Sequence, residues 1–382
     1  MTLHPTVDWV EQEQPRSARW RSESGNEPPR RVQLADDTLT ADAAYRLATA
    51  GTGLLWRSDF QNARQLLQAL ARRADRTPRQ PAITAPAPAA DAFHRHRMKQ
   101  GQRARILAML LVELEGDYAI RLRRAPDLRP ACREAWGPAD GNPSVASLRE
   151  LLGLTGAHEW RKKGVEVPAL GPGPDNRIHA HYGVFSPVRG EYIDLVAQAP
   201  LPATSLAFDI GTGTGVLAAV LARRGVQRVV ATDIDPRALA CARDNVSRLG
   251  LEGRIEVLQA DLFPPGRAPL VVCNPPWVPG RPSSPIEHSV YDEGSRMLRG
   301  FLAGLPSHLS GGGEGWLILS DLAEHLGLRT REELVGWIDG AGLQVVSRSE
   351  ARPRHPKAAD PDDPLHAARS KEVTTLWRLA LR

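Results

Sequence analysis

From about residue 178 onward, apolar positions gather into short runs separated by stretches of helical spacing. Leu206–Ile210, Arg228–Thr232, Ile255–Leu258, Leu270–Cys273 and Trp316–Ser320 read as strands. Val216–Arg224, the stretch from Pro236 to Leu249, part of Tyr291–Leu309 and Arg331–Ala341 read as helices. Gly225 and Gly250 stop the first two helices, and Asp235-Pro236 has the form of an N-cap followed by proline at the first helical position. Such alternation predicts a parallel α/β sheet. The last two strand-like runs, Leu343–Arg348 and Val373–Leu381, enclose a segment rich in proline and charge, with no room for an ordinary helix. They are expected to pair antiparallel.

The upstream half carries a different pattern. Residues 1–38 are polar and rich in Pro, Arg and Glu, which predicts an irregular lead-in. Residues 41–75 read as helical: Ser58-Asp59-Phe60-Gln61 has the form of a capping box, and Phe60, Ala63, Leu67, Leu70 and Ala74 share one face. Thr77–Ala90, rich in Pro and Ala, reads as an extended linker, and Val165–Asn176, rich in Gly and Pro, as a domain linker. Between them, Ile106–Leu114 fits helix or strand, and Leu148–Leu154 a short helix. The expected organisation is a lead-in over 1–38, a mainly helical accessory domain over 39–165, and the α/β domain over 178–382.

Composition changes this picture little. A chain of 382 residues has room for two domains, and 49 Lys and Arg against 44 Asp and Glu permit a nucleic-acid partner without requiring one. Cys132, Cys241 and Cys273 are far apart and lack metal-ligand spacing, so no metal site is expected and the thiols fit a reduced, cytoplasmic protein. The N-terminus lacks the basic-then-apolar pattern of a secretory signal, and the longest clean apolar run, Ile106–Val112, is far too short to cross a membrane. Two basic stretches, His94–Arg105 and the group Arg352, Arg354, His355 and Lys357, could grip phosphates or simply form solvated surface.

The chemistry lies at the strand ends. The first strand empties into Asp209-Ile210-Gly211-Thr212-Gly213-Thr214-Gly215. Gly211, Gly213 and Gly215 let the backbone approach a cofactor at the start of the next helix, although a tight turn without ligand would look similar. The spacing GxGxG, in place of GxGxxG, favours a cofactor without pyrophosphate over a dinucleotide. Asp233 lies 22 residues after Gly211 (233 − 211), at the end of the second strand, where a carboxylate can accept both hydroxyls of a ribose. Asp235 competes for that role but is better explained as a helix cap. Asp261 follows the third strand and can accept the amino hydrogens of adenine, with Leu262 or Ala260 beside the ring. Taken alone, Asp261 is better read as a loop residue satisfied by backbone N–H groups; beside the other two sites the ligand role prevails.

The fourth strand empties into Asn274-Pro275-Pro276-Trp277. An amide or aryl amine is a poor nucleophile because its lone pair is delocalised. Two acceptors, the Asn274 side-chain oxygen and the Pro275 carbonyl, can hold its hydrogens and aim the lone pair at an electrophile. Pro275 and Pro276 fix the turn and remove competing donors, and Trp277 offers a face for a planar group. A glycine turn and this turn together suggest methyl transfer from S-adenosylmethionine to an amide or exocyclic amine nitrogen.

The order of glycine turn, two acidic strand ends, Asn-Pro-Pro-aromatic turn and terminal antiparallel pair resembles the class I S-adenosylmethionine-dependent methyltransferases. Within them it is most similar to the branch holding the release-factor glutamine methyltransferases and several N6-adenine and rRNA guanine N2 methyltransferases. The resemblance covers about residues 178–382. Upstream, Arg189, Glu191, Leu195 and Val196 match the Pro-Arg-x-Glu-Thr-Glu-x-Leu-Val stretch of the release-factor enzymes, with Tyr192 standing at the threonine position. The resemblance implies a Rossmann-like seven-stranded sheet, and contact between Asp209 and the region of the methionyl amine, directly or through water. It also implies a macromolecular acceptor, either a protein glutamine or another component of the translation machinery, or else an RNA or DNA base, with the N-terminal domain helping to select it. A cofactor-binding protein that no longer transfers methyl groups is a different class of answer, against which Asn274 and Trp277 argue.

Overall fold

The computed structural model describes residues 4–76, 88–282, 284–354 and 360–382. These divide into two compact units, one drawn from residues 1–87 and 94–159, the other from 88–93 and 160–382. The Thr77–Ala90 linker expected from the sequence lies largely outside the described residues.

The N-terminal unit is built on six strands: β1 (Thr6–Glu11), β2 (Gln14–Arg21), β3 (Arg31–Ala35), β4 (Thr52–Trp56), β5 (Leu110–Leu114) and β6 (Ser144–Ser147), in the order β1-β2-β6-β5-β4-β3. The first five helices are α1 (Ala41–Thr49), α2 (Phe60–Asp75), α3 (Ala89–Ala108), α4 (Arg129–Trp136) and α5 (Leu148–Lys163). The stretch expected to be an irregular lead-in over 1–38 thus contains three strands. A hairpin needs only one apolar face: Val7, Trp9, Ala18 and Trp20 are buried with Leu55, Leu111 and Val145, while Asp8, Arg16 and Ser17 stay exposed. The Pro, Arg and Glu content describes the other face. The helical span expected over 41–75 is interrupted by β4, every residue of which is buried. The helices therefore flank a sheet that the mainly helical reading lacks.

The cap of α2 is Asp59, whose carboxylate accepts from Gln61 N at 2.8 Å, while the Ser58 hydroxyl bonds to Asp37. Ile106–Leu114 divides into the end of α3 and β5.

Val165–Asn176 is a structured part of the C-terminal unit. β7 (Val165–Glu166) and β8 (Arg177–Ile178) pair antiparallel, Val167 N donates to Asn176 O at 2.8 Å, and Val167, Leu170 and Ile178 lie in the unit's core. Three apolar residues set among glycines and prolines are enough to anchor this segment. The α/β unit accordingly begins near Trp160, upstream of the boundary expected at 178.

Beyond it come β9 (Leu206–Ile210), β10 (Arg228–Asp233), β11 (Ile255–Gln259), β12 (Ala268–Cys273), β13 (Leu309–Ser320), β14 (Leu343–Ala351) and β15 (Thr374–Leu381). The helices are α6 (Glu191–Gln198), α7 (Val216–Arg223), α8 (Pro236–Arg248), α9 (Arg296–His308), α10 (Leu322–His325), α11 (Arg331–Gly340) and α12 (His366–Arg369). The strand order is β11-β10-β9-β12-β13-β15-β14, parallel from β11 through β13, with β15 antiparallel to both its neighbours. This is the Rossmann-like seven-stranded sheet with a terminal antiparallel pair.

Successive residues alternate between two cores. Leu270, Val272, Trp316 and Ile318 pack with α6, α7 and α8, while Val271, Cys273, Leu317 and Leu319 pack with α9 and α11. A sheet covered on both faces needs continuous apolar runs, which is what these strands supply. Among the described residues no helix is long and apolar enough to cross a membrane.

Candidate functional site

Register brings the singled-out residues to one edge of the sheet. Ile210, at the end of β9, lies opposite Thr232 of β10 and Cys273 of β12, and Asp233 lies opposite Gln259 of β11. The turns following these four adjacent parallel strands therefore meet at their carboxyl ends, where open α/β sheets bind ligands.

The glycine turn is held by the residues around it. Thr212 N donates to Thr232 O at 2.8 Å, and Gly213 N donates to Asp233 Oδ2 at 3.0 Å. Gly215 sits at the N-cap of α7 with φ +81°, in the left-handed region that favours glycine. Gly211 has φ +69°, and a Cβ there would collide with the Met297 methyl group.

Asp209 is buried beneath the turn. Its Oδ2 accepts from the Thr212 hydroxyl at 2.6 Å and from Ala218 N at 3.1 Å. Burial pushes its carboxyl up from 3.8 to about 6, partly offset by those two donors. Because the folded value exceeds the unfolded one, this group's contribution to stability is complete below pH 3.8 and is lost as pH rises through about 6. The shift corresponds to roughly 3 kcal/mol. Denaturant unfolding of the ligand-free protein between about pH 4 and pH 7 should show this decline, and Asp209→Asn should remove it. An unchanged profile in that variant would assign the titration to another group.

The two acidic residues at the end of β10 and just beyond it divide their work. Asp235 caps α8, accepting from Arg237 N at 2.9 Å. Asp233 braces the turn through Oδ2 and accepts from Asp235 N through Oδ1 at 3.0 Å. Each oxygen retains acceptor capacity. Burial raises the Asp233 carboxyl above its ordinary value, against the pull of the two N–H groups.

Asp261 is exposed and pairs with Arg296 at 3.1 Å. Among the described residues no backbone N–H group donates to its carboxylate. Leu262 has φ +76°, and its carbonyl accepts from the Thr232 hydroxyl at 2.5 Å.

In the fourth turn, the Asn274 side-chain oxygen accepts from Trp277 Nε1 at 2.8 Å. Pro275 is buried, while Asn274, Pro276 and Trp277 are partly exposed. The Trp277 ring packs against the core on both sides of the sheet and against a third cluster containing Val278, Leu322 and Phe93. Trp277 is thus anchored more firmly than a free stacking platform would be.

Several residues at this edge were not singled out from the sequence. Ile234, between the two aspartates, leaves 58% of its surface exposed, unusual for isoleucine at a strand end. Asp292 joins the chain after Trp277 to α9: its N–H donates to Val278 O, and its carboxylate accepts from Met297 N and Leu298 N. Glu372 accepts from Arg189 at 3.1 Å and from the Ser320 hydroxyl at 2.8 Å. This engages Arg189 of the upstream motif, while Glu191 and Tyr192 of the same motif are buried. Spacing alone had only one signal for these, the placement of Asp292 shortly before a helix.

The first basic stretch lies on α3, where Arg103 pairs with Asp75 at 2.7 Å. In the second, Arg354 pairs with Asp194 at 3.4 Å, and His355 and Lys357 lie outside the described residues.

Residues 175–325 match the family model described as "Methyltransferase small domain". The release factor glutamine methyltransferase of Cereibacter sphaeroides is 30% identical over 173 residues, covering 42% of this chain and 60% of its own. The ribosomal RNA small subunit methyltransferase C of Alcanivorax borkumensis is 31% identical over 183 residues, covering 46% and 50%. The tRNA1(Val) (adenine(37)-N6)-methyltransferase of Shewanella amazonensis is 29% identical over 217 residues, covering 52% and 92%. The chain spans less than two thirds of the length of the first two.

Proposed function

We propose that this chain, whose C-terminal unit is a class I methyltransferase domain, transfers a methyl group from S-adenosylmethionine to a planar amide or amine nitrogen on a macromolecule. The observation that carries this reading is the register of β9 and β12. It sets the glycine turn and the Asn274–Trp277 turn side by side at the carboxyl edge of the sheet.

In this reading Gly211, Gly213 and Gly215 admit the methionine and ribose parts of the cofactor, and Asp209 acts from below the turn on the methionyl ammonium. Asp233 accepts the ribose hydroxyls. Asp261 accepts the adenine amino hydrogens, and Leu262 and the exposed Ile234 lie against the ring. The Asn274 oxygen, with one lone pair engaged by Trp277, uses the other for an acceptor N–H. The Pro275 carbonyl takes the second hydrogen. The lone pair is then aimed at the sulfonium methyl: a nitrogen–carbon bond forms, the carbon–sulfur bond breaks, and the product cation releases its extra proton to solvent.

The acceptor we favour is a protein glutamine or another component of the translation machinery. Support comes from the match of Arg189, Glu191, Leu195 and Val196 to the release-factor enzymes' upstream motif, and from the similarity to a protein of that name. Methylation of an RNA base is the second reading, favoured by similarity to proteins named for rRNA and for tRNA adenine. Selection of the acceptor is assigned to the N-terminal unit.

The test is transfer of labelled methyl groups into lysate from a strain lacking this gene. Label removed by protease and resistant to nuclease supports the first reading, and the converse supports the second. No macromolecular label above that of a catalytically dead variant would remove both.

A further inference from the structure

Arg21, the last residue of β2, is a largely buried cation that makes no side-chain salt bridge among the described residues, although the Asp140 charge acts on it through space. Only 8% of its surface is exposed, and its guanidinium carbon lies 5.1 Å from the Tyr118 ring centre and 5.0 Å from that of Trp136. The two rings cover the cation but cannot accept hydrogen bonds from the in-plane N–H fork. Arg21 Nε is buried without a hydrogen-bond partner among the described residues, and so is Trp136 Nε1. Neighbouring cations are satisfied: Arg19 pairs with Asp140 at 3.0 Å, and Arg57 with Glu11 and Glu113 at 2.6 and 2.7 Å. A buried charge whose counterion makes no direct hydrogen bond to it is costly to keep. Glu150, a half-buried carboxylate, is occupied elsewhere, accepting from Glu23 N at 2.7 Å and from the Ser22 hydroxyl.

A pocket of about 280 Å³ opens beside this pair, lined in part by Arg21, Trp136, Trp20, Asn26, Glu23 and Glu27. We propose that it is a binding site for a carboxylate-bearing peptide group, an acidic side chain or a chain terminus, received by the Arg21 guanidinium and the Trp136 N–H. A planar carboxylate matches the guanidinium fork, and the two indoles suit the aliphatic stem behind it. Glu23 and Glu27 at the pocket oppose a run of phosphates, so a single carboxylate on an otherwise neutral or cationic peptide fits better than a nucleic-acid backbone. The site stands independently of the methyl-transfer reading, because it is defined and tested by binding alone.

The experiment is ligand-observed NMR titration of the full chain with N-acetylglutamate amide, its neutral isostere N-acetylglutamine amide, and a short RNA oligonucleotide. The acidic probe should bind saturably, and the isostere at least about tenfold more weakly, as expected for loss of one charged hydrogen-bonded pair. Arg21→Met should weaken the acidic probe by a similar factor. Trp136→Phe keeps an aromatic ring and removes the N–H, so it should weaken binding severalfold, and it decides the matter if the Arg21 variant fails to fold. Absence of saturable binding would overturn the proposal, as would equal binding of the two amides or binding indifferent to Trp136→Phe. Arg21-dependent binding of the oligonucleotide tighter than that of the acidic probe would also overturn it, in favour of a phosphate site.

Discussion

Asp233→Ala should lower the affinity for S-adenosylmethionine by roughly 10- to 150-fold, because two ribose hydroxyls lose a charged acceptor worth ~1.5–3 kcal/mol. The substitution has a second consequence. Asp233 also accepts from Gly213 N and Asp235 N, and without it both N–H groups lose their partner. Stability should therefore fall as well, by about 1–3 kcal/mol. The two effects separate with a cofactor analogue lacking the ribose hydroxyls. If Asp233 contacts the ribose, the wild type should bind that analogue weakly, and the variant should bind it no more weakly still. If the variant merely suffers a collapsed turn, it should lose affinity for both ligands equally. Calorimetric affinity for the natural cofactor equal to that of the wild type would remove the ribose role. Asp235 would be a poor replacement, since its side chain is already committed to the α8 cap.

The capping role of Asp235 was legible in the sequence because its signal is local. An Asp before Pro at a helix start needs only its own neighbours to be recognised as a cap, and the remaining Asp then falls at the strand end. The strands from β9 to β13 were legible for a different reason. Buried on both faces, they must be apolar at nearly every position. The β1–β2 hairpin was not, because a one-sided strand needs only Val7 and Trp9, or Ala18 and Trp20, among charged residues.

What the sequence could not supply is contact between distant residues. Arg189 and Glu372 are 183 positions apart, just before α6 and β15, and their ion pair depends on the fold bringing those two segments together. The bond from Trp277 to Asn274 spans only three residues but depends on side-chain rotation within the turn. That Arg21 Nε is left without a hydrogen bond among the described residues is likewise invisible until the fold shows that Asp140 makes its hydrogen bond with Arg19.

That bond within the turn shapes the second large expectation. Asn274→Ala should leave cofactor affinity within a fewfold of wild type and reduce methyl transfer by on the order of 100-fold or more, the usual scale for removing one preorganised transition-state contact. The side chain is proposed to act on the acceptor nitrogen, whose hydrogens it holds while the lone pair is freed, so its loss should be felt in kcat more than in cofactor binding. Because Asn274 also receives the Trp277 N–H, a purely structural explanation makes a competing prediction. Trp277→Phe removes that donor and keeps a ring packed between the cores. If Asn274 serves only to close the turn, the two variants should lose activity and stability together. If it holds the acceptor, Trp277→Phe should retain much more activity than Asn274→Ala at similar stability. Normal turnover in Asn274→Ala would end the amide-nitrogen mechanism, and a collapse of cofactor affinity in the same variant would make Asn274 part of the scaffold.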